Sequence, residues 1–182
     1  MKYLRNRKVA IGITAFAVFL SILFGSHSSL MQLREETSLI FYSGEKKNGK
    51  GIQHDLEYIT DQCYNLTVVA GRYMDPDDER IKEVLRKRDL VNSAVTPREK
   101  YQTSESLIEA AMKLYKDLGF MSLEERDQYY RDSFAVNVES RQLIISHSSY
   151  NELAVTFNES LERFPANVLS KITFVKPLEL YE

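Results

Sequence analysis

Residues 9–25, VAIGITAFAVFLSILFG, form an uncharged apolar run of 17 residues, at the short end of what a helix needs to cross a bilayer. Beyond it Leu30, Leu33, Thr37, Ile40 and Phe41 continue an apolar stripe at helical spacing, so the helix is expected to run on past the apolar stretch. From Ile52 the pattern changes to a seam. Ile52, Leu56, Ile59, Cys63, Leu66, Ala70 and Tyr73 alternate in steps of four and three, and all are apolar, small or aromatic. Such a seam predicts an amphipathic helix packed along one side. Ile81, Val84, Leu85 and Val91 give a further helix its apolar face, and Leu107, Ile108, Ala111 and Leu114 another. The last and longest helix carries Val136, Ser140, Leu143, His147, Tyr150, Ala154, Phe157, Leu161 and Phe164, again in steps of four and three.

Local signals place the boundaries. Asp75 as cap, Pro76 at the first helical position and the acids Asp77, Asp78 and Glu79 behind them suit a helix start. The pattern lapses between Asn92 and Ser104, around Pro97, so the next helix is expected to begin at Thr103 or Ser104 and to stop near Gly119. Ser122-Leu-Glu-Glu125 reads as a capping box that opens the last helix, and Pro165 ends it. Residues 43–51, SGEKKNGKG, read as a flexible loop. No strand-like alternation of useful length occurs. The expected fold is all-α: an N-terminal transmembrane helix followed by an antiparallel four-helix-type bundle with long helices. Residues 1–8 form a basic flank, 9–28 the anchor and 29–182 the helical-bundle domain, with its loop at 43–51.

A cleaved signal peptide is the competing reading of the first segment, because Ser26-His27-Ser28 resembles a small-x-small cleavage site. The apolar run exceeds the usual signal core, and the stripe continues beyond the site, so an anchor is expected. Lys2, Arg5, Arg7 and Lys8 precede the run, whereas only Arg34 lies just after it. The excess of basic residues on the cytoplasmic side of membrane proteins then places the N-terminus inside and the domain outside, with the opposite orientation left open.

The chain has 182 residues, 24 basic and 26 acidic, for a net charge of −2. The roughly 150 residues after the anchor are enough to bury a core without disulfides or metals. Near-balanced charge argues against a nucleic-acid partner, which calls for a basic face. A single cysteine, Cys63, allows no intrachain disulfide. The acidic stretch Asp75-Pro-Asp-Asp-Glu79 fails as a calcium loop, since its sixth position is Arg80 and its twelfth Arg86. His27, His54 and His147 share no metal-ligand spacing, and His147 and Cys63 fall in seams where core roles are ordinary. No nucleophile-elbow or phosphate-loop motif occurs. The sequons at Asn65 and Asn158 fall within predicted helices and are read as chance. No catalytic residue, metal ligand or cofactor is expected, and the chain is read as no enzyme.

One polar feature remains. Beside the last seam runs a second file: Asn137, Arg141, Ile144, Ser148, Asn151, Val155 and Asn158. Polar residues bordering a helical core set register and partner choice, so Asn137, Arg141, Ser148, Asn151 and Asn158 form a candidate interaction face. A solvated flank is the alternative.

The last helix and tail carry a resemblance. Tyr150-Asn151, Val155, Phe157-Asn158, Phe164-Pro165-x-Asn167 and Lys176-Pro177 through the closing Leu-Tyr-Glu resemble the C-terminal signature of LemA family proteins. Upstream, Tyr64-Asn65-Leu66 with Val69, Gly71 and Tyr73 is similar to the family's Pro-Asn-Leu-Val segment. The chain departs from the pattern in several places. Tyr64 stands where proline is usual, the arginines before it are missing, His147 and Ser148 stand where arginine is common, and residues 43–51 look like an insertion. The resemblance implies a bacterial, membrane-anchored antiparallel bundle without established enzymatic activity. Such proteins are often encoded near membrane metallopeptidases or other envelope proteins, and one branch serves in magnetosome formation. Several members are thought to keep the domain on the cytoplasmic side, opposite to the flank-charge expectation. The expected role is a membrane-tethered, non-catalytic interaction or scaffold protein, held by lipid at its N-terminal helix and associating with a protein partner or with itself. A self-assembling structural membrane protein is the alternative, and an enzyme or an accessory of a membrane peptidase comes third.

Overall fold

The computed structural model describes residues 7–46 and 48–182; the basic flank before Arg7, with Lys2 and Arg5, and Lys47 of the loop lie outside the described residues. The described chain is all-α. Its helices are α1 (Arg7–Ser43), α2 (Ile52–Ala70), α3 (Glu79–Ser93), α4 (Pro97–Leu118), α5 (Glu125–Ser146), α6 (Tyr150–Glu162) and α7 (Ala166–Thr173). α1 carries the apolar run onward without a break for 37 residues, about 55 Å at 1.5 Å per residue. It is the one described helix long and apolar enough to cross a membrane, and none of its apolar window is buried within the chain.

The chain divides into two compact units. The larger comprises Leu39–Asn151 with Glu179–Glu182. Within it α2 packs on α3, α4 and α5, and α4 packs on α3 and α5. The seam expected on α2 is buried in full at Ile52, Leu56, Ile59, Cys63, Leu66 and Ala70, and Tyr73 packs against the same core. Val84 of α3 and Leu107, Ala111 and Leu114 of α4 complete that core with no solvent exposure. Full burial of a leucine or isoleucine is worth roughly 1.5–3 kcal/mol, so a run of such positions fixes which face of each helix turns inward. After α1 the chain folds back tightly: Gly49 N–H donates to the Ser43 carbonyl at 3.0 Å, and Gly44 takes φ 71. A Cβ on Gly51 would collide with the Phe41 carbonyl.

Several boundaries differ from expectation. Asp78, not Asp75, caps α3, accepting the Arg80 N–H at 2.9 Å. Asp75 instead closes a turn by accepting the Asp77 N–H at 2.8 Å, so Pro76 lies before the helix. α4 begins at Pro97, well before Thr103 and Ser104. Thr96 and Glu99 form a capping box: the Thr96 hydroxyl accepts the Glu99 N–H at 3.3 Å, and the Glu99 carboxylate accepts the Thr96 N–H at 3.1 Å. Pro97 sits at the first helical position, where its missing N–H has no intrahelical partner to lose. Ser122 caps nothing. α5 begins after Glu124, whose N–H donates to the Tyr73 hydroxyl at 2.9 Å.

The largest correction concerns the last seam, which spans two helices rather than one, with residues 147–149 between α5 and α6. On α6 it holds, and Tyr150, Ala154, Phe157 and Leu161 are buried. On α5 it faces outward: Val136 is 66 % and Leu143 60 % exposed, and His147 is exposed as well. The buried file on α5 is Phe134 and Val138, continued by the half-buried Arg141 and Ile145. A four–three pattern keeps its phase only through an unbroken helix, and three non-helical residues reset it.

The smaller unit comprises residues 7–38 of α1 with Glu152–Leu178. In it the Arg34 Nε–H donates to the Lys176 carbonyl at 3.0 Å, which ties the tail to α1. α6 stops at Glu162, three residues before the Pro165 expected to end it; Pro165 instead precedes α7, a short helix with no counterpart in the periodicity, and the Phe164–Pro165 peptide is cis. α7 closes on Phe174, which has left-handed backbone angles, φ 58 and ψ 31.

Candidate functional site

The polar file beside the last seam divides between two kinds of contact. Its α5 members face α2. Arg141 Nη1 pairs with Asp55 Oδ1 at 2.9 Å and its guanidinium lies 4.2 Å over the Tyr58 ring, while Asn137 Nδ2 donates to Gln62 Oε1 at 3.3 Å. A third polar pair, absent from the sequence reading, joins Arg72 to Asp127 in the first turn of α5. Asp127 is 2 % exposed and also accepts the Tyr73 hydroxyl at 2.7 Å. The Tyr73 hydrogen bond, with the Arg72 guanidinium behind it, holds this carboxyl below the usual carboxylate range against the opposing effect of burial. Between these pairs a groove of about 260 Å³ brings Asn65 and Leu66 beside Asn137 and Tyr129. Tyr64 is exposed and stacks under the Arg88 guanidinium at 4.4 Å.

The members in and beyond the break hold backbone. The Ser148 hydroxyl accepts the Tyr150 N–H at 3.3 Å and so starts α6. Asn151 grips Tyr181 twice: its Oδ1 accepts the Tyr181 N–H at 2.8 Å, and its Nδ2 donates to the Tyr181 carbonyl at 2.9 Å. In the smaller unit Asn158 repeats the arrangement on Leu178, at 2.8 and 2.9 Å. An asparagine amide offers one acceptor and one donor side by side, which matches the N–H and C=O of one extended residue. The Tyr150 hydroxyl adds a bond to the Glu179 carbonyl at 2.6 Å, and the Tyr181 hydroxyl shares one with Ser104 at 3.1 Å. Burial pushes the Tyr181 hydroxyl up to about 12. A cleft of about 280 Å³ opens beside this residue, walled by Ile52, Ile59, Tyr101, Ile108 and Ile145. The partners of Asn151 and Asn158 are main-chain atoms, so no residue pattern announced them. Of the other residues noted in the sequence, Phe164 is exposed, Pro165 precedes α7 and Asn167 begins its first turn.

A different surface is left open on α5. Tyr129, Val136 and Leu143 recur every seven residues and are 72, 66 and 60 % exposed. Two turns of helix separate neighbours at that spacing, so the three line up on one face, with Ser133 and Ser140 at the four-residue steps between them, a file of large side chains spaced by small ones against which another helix can pack. The Cys63 thiol is buried and desolvation pushes it up to about 12, which leaves it inert at neutral pH. Asp78 is held down at about 2 by its bonds to Arg80, and that guanidinium also reaches Asp117 at 3.0 Å. Among the described residues no group of three or more His, Cys, Asp or Glu is placed to hold a metal ion.

Fold and surface together define an all-α protein with one helix suited to crossing a membrane and an apolar ridge on α5. No protein-family model matches the chain, and no curated protein matches it either.

Proposed function

We propose that the chain is a membrane-tethered, non-catalytic helical interaction module of the LemA type, anchored through α1 and docking a partner helix on the outer face of α5. The observation that carries the reading is the ridge of Tyr129, Val136 and Leu143, three large exposed side chains one heptad apart with the small Ser133 and Ser140 between them. The unbroken α1, with its unburied apolar run, supports the tether. The polar pairs support an antiparallel bundle: Arg72–Asp127, Gln62–Asn137 and Asp55–Arg141 run from the turn just past α2 down that helix as they ascend α5. The tail bonds of Tyr150, Asn151 and Asn158 give physical work to residues of the LemA-like signature. The reading as a non-enzyme draws on where the ionisable groups are spent, in caps and in the helix–helix pairs.

Crosslinking in intact cells followed by capture of the full-length protein tests the proposal. Val136→Glu with Leu143→Glu should abolish recovery of the partner while circular dichroism stays unchanged; undiminished recovery would reject the ridge. Heptad spacing suits a second copy of the same helix equally, which favours self-assembly as the second reading. Sedimentation of the full-length protein in detergent separates the two, since a monomer at every concentration rejects self-assembly. The excess of basic residues before the span favours a domain outside the cell, with the opposite orientation as the alternative, and protease digestion of intact cells that leaves the domain uncut would reverse that reading.

A further inference from the structure

α7 is short, yet it and its flanks expose large apolar side chains that its own unit leaves uncovered. Val168 and Ile172, one turn apart on the helix, are each half-exposed, and Phe164 and Phe174 on either side are 84 and 85 % exposed. Phe174 also occupies the left-handed position that closes the helix, where glycine is ordinary and a Cβ is disfavoured. In water neither its backbone nor its exposure accounts for a phenylalanine there. From Arg163 to Leu178 the chain has three basic residues, Arg163, Lys171 and Lys176, and no acidic one.

The depth of α7 along α1 is set within the same unit. Ile172 and Thr173 line a groove of about 260 Å³ with Leu20, Leu23, Phe24 and His27. The apolar run ends at Gly25, so at 1.5 Å per residue the groove that receives the last turn of α7 extends from roughly 3 Å beyond that end, at His27, to roughly 7.5 Å inside it, at Leu20. Amphipathic helices that lie in a membrane surface bury their apolar face to about 5–10 Å, with basic residues at the headgroups.

We infer that α7, with Phe164 and Phe174, is an interfacial helix inserted into the lipid bilayer beside the far end of the apolar run of α1, giving the protein a second membrane contact. The inference rests on the reading of α1 as a membrane span. Lys171 and Lys176 then reach the anionic headgroups while the apolar face meets the first segments of the acyl chains.

The chain contains no tryptophan, so one introduced indole reports a single site. Full-length Phe174→Trp and Phe16→Trp proteins are placed separately in vesicles of phosphatidylcholine and phosphatidylglycerol. The lipid chains carry bromine either near the glycerol or near the methyl end. Phe16 lies at the middle of the apolar run, so its replacement should be quenched mainly by the deep bromines. Phe174→Trp should emit to the blue and lose most of its emission to the shallow bromines, and Phe164→Trp serves as the second reporter should that variant misfold. Quenching of the indoles flanking α7 by iodide but not by bromine, with Phe16→Trp still quenched in the lipid, overturns the interfacial helix and leaves the span standing. Protection from both quenchers overturns it as well, because protein then covers the face. Loss of lipid quenching at Phe16→Trp rejects the span and the inference with it.

Discussion

Replacing Asn151 by alanine tests whether the closing residues are held by the helix or merely lie on it. The substitution removes two neutral hydrogen bonds, at 2.8 and 2.9 Å, to the backbone of Tyr181. At roughly 1 kcal/mol net apiece the loss is about 2 kcal/mol. A larger loss is not expected, because the freed N–H and C=O can leave the surface with the tail and take up water. For a chain of this length that corresponds to a drop in Tm of about 4–8 °C, with amide exchange at Tyr181 rising to that of free chain. Asn151→Asp is the sharper variant. One carboxylate oxygen still accepts the Tyr181 N–H, but the other faces the Tyr181 carbonyl, where the wild-type amide donates. At neutral pH the aspartate should therefore cost at least as much as alanine. Protonated, the carboxyl again offers one donor and one acceptor, so the folded site favours the neutral form and raises its pKa above the unfolded value near ~4. The folded state then binds more protons than the unfolded one, and stability relative to wild type rises as pH falls through the raised pKa. It is complete below the unfolded value and lost as pH climbs. Urea titrations of both proteins across that range decide the matter. An Asn151→Asp variant as stable as wild type near neutrality, or one that weakens further in acid relative to wild type, refutes the bidentate grip.

The two phases proposed for α5 predict opposite outcomes two residues apart. Phe134→Ala should destabilise by about 3–5 kcal/mol and Val136→Ala by less than about 0.5, measured by urea unfolding, and the reverse order would restore the outward seam to the core. Asp127→Asn should lose about 2 kcal/mol near neutral pH, since hydrogen bonds to a charged group are the stronger kind. Asp127 has a folded pKa below its unfolded one, so its contribution is present above the unfolded value and lost as pH falls through the folded value. The gap between variant and wild type should therefore close in acid, and a gap that persists there counts against the charged pair. Cys63, buried and pushed up to about 12, should react with a thiol reagent only at the rate of unfolding, and prompt labelling of the native protein would contradict its burial.

The α2 seam was legible because one unbroken helix carried six of its positions, from Ile52 to Ala70, all buried, and Tyr73 in the turn beyond packs on the same core. The start of α4 was equally present in the sequence, as Thr96-Pro-Arg-Glu99, but the apolar period begins only at Leu107. Residues 97–106 are mostly polar, and a helix can begin two turns before its apolar face does. The break at residues 147–149 had a signal too. Ser146, His147, Ser148 and Ser149 bring short hydrogen-bonding side chains together, and Ser148 does divert its hydroxyl to the Tyr150 backbone N–H. α7 escaped because eight residues hold too few turns to show a period. At the candidate site the polar file was visible, but its meaning was not. Asn151 and Asn158 choose main-chain partners 30 and 20 residues away, and a backbone carbonyl looks the same under any side chain.

The same contrast between sequence order and folded order bears on orientation. Counted along the sequence, Lys2, Arg5, Arg7 and Lys8 stand before the span against Arg34 just after it. The fold adds Arg163, Lys171 and Lys176 to the unit that holds the far end of the apolar run, which evens the balance. The two counts describe different moments. Charges within about 15–20 residues of a span govern its insertion, whereas α7 follows the span by more than 130 residues and joins it only after folding. The sequence count should therefore decide. Glutamine at Lys2, Arg5, Arg7 and Lys8 should convert a domain cut by external protease in intact cells into one largely protected. Glutamine at Lys171 and Lys176 should leave the digestion unchanged while weakening attachment to anionic vesicles of a protein lacking the span, by about 1 kcal/mol for each charge. An inversion produced by the second pair alone would mean that orientation is chosen after the domain has folded, and the flank charges would lose their authority over it.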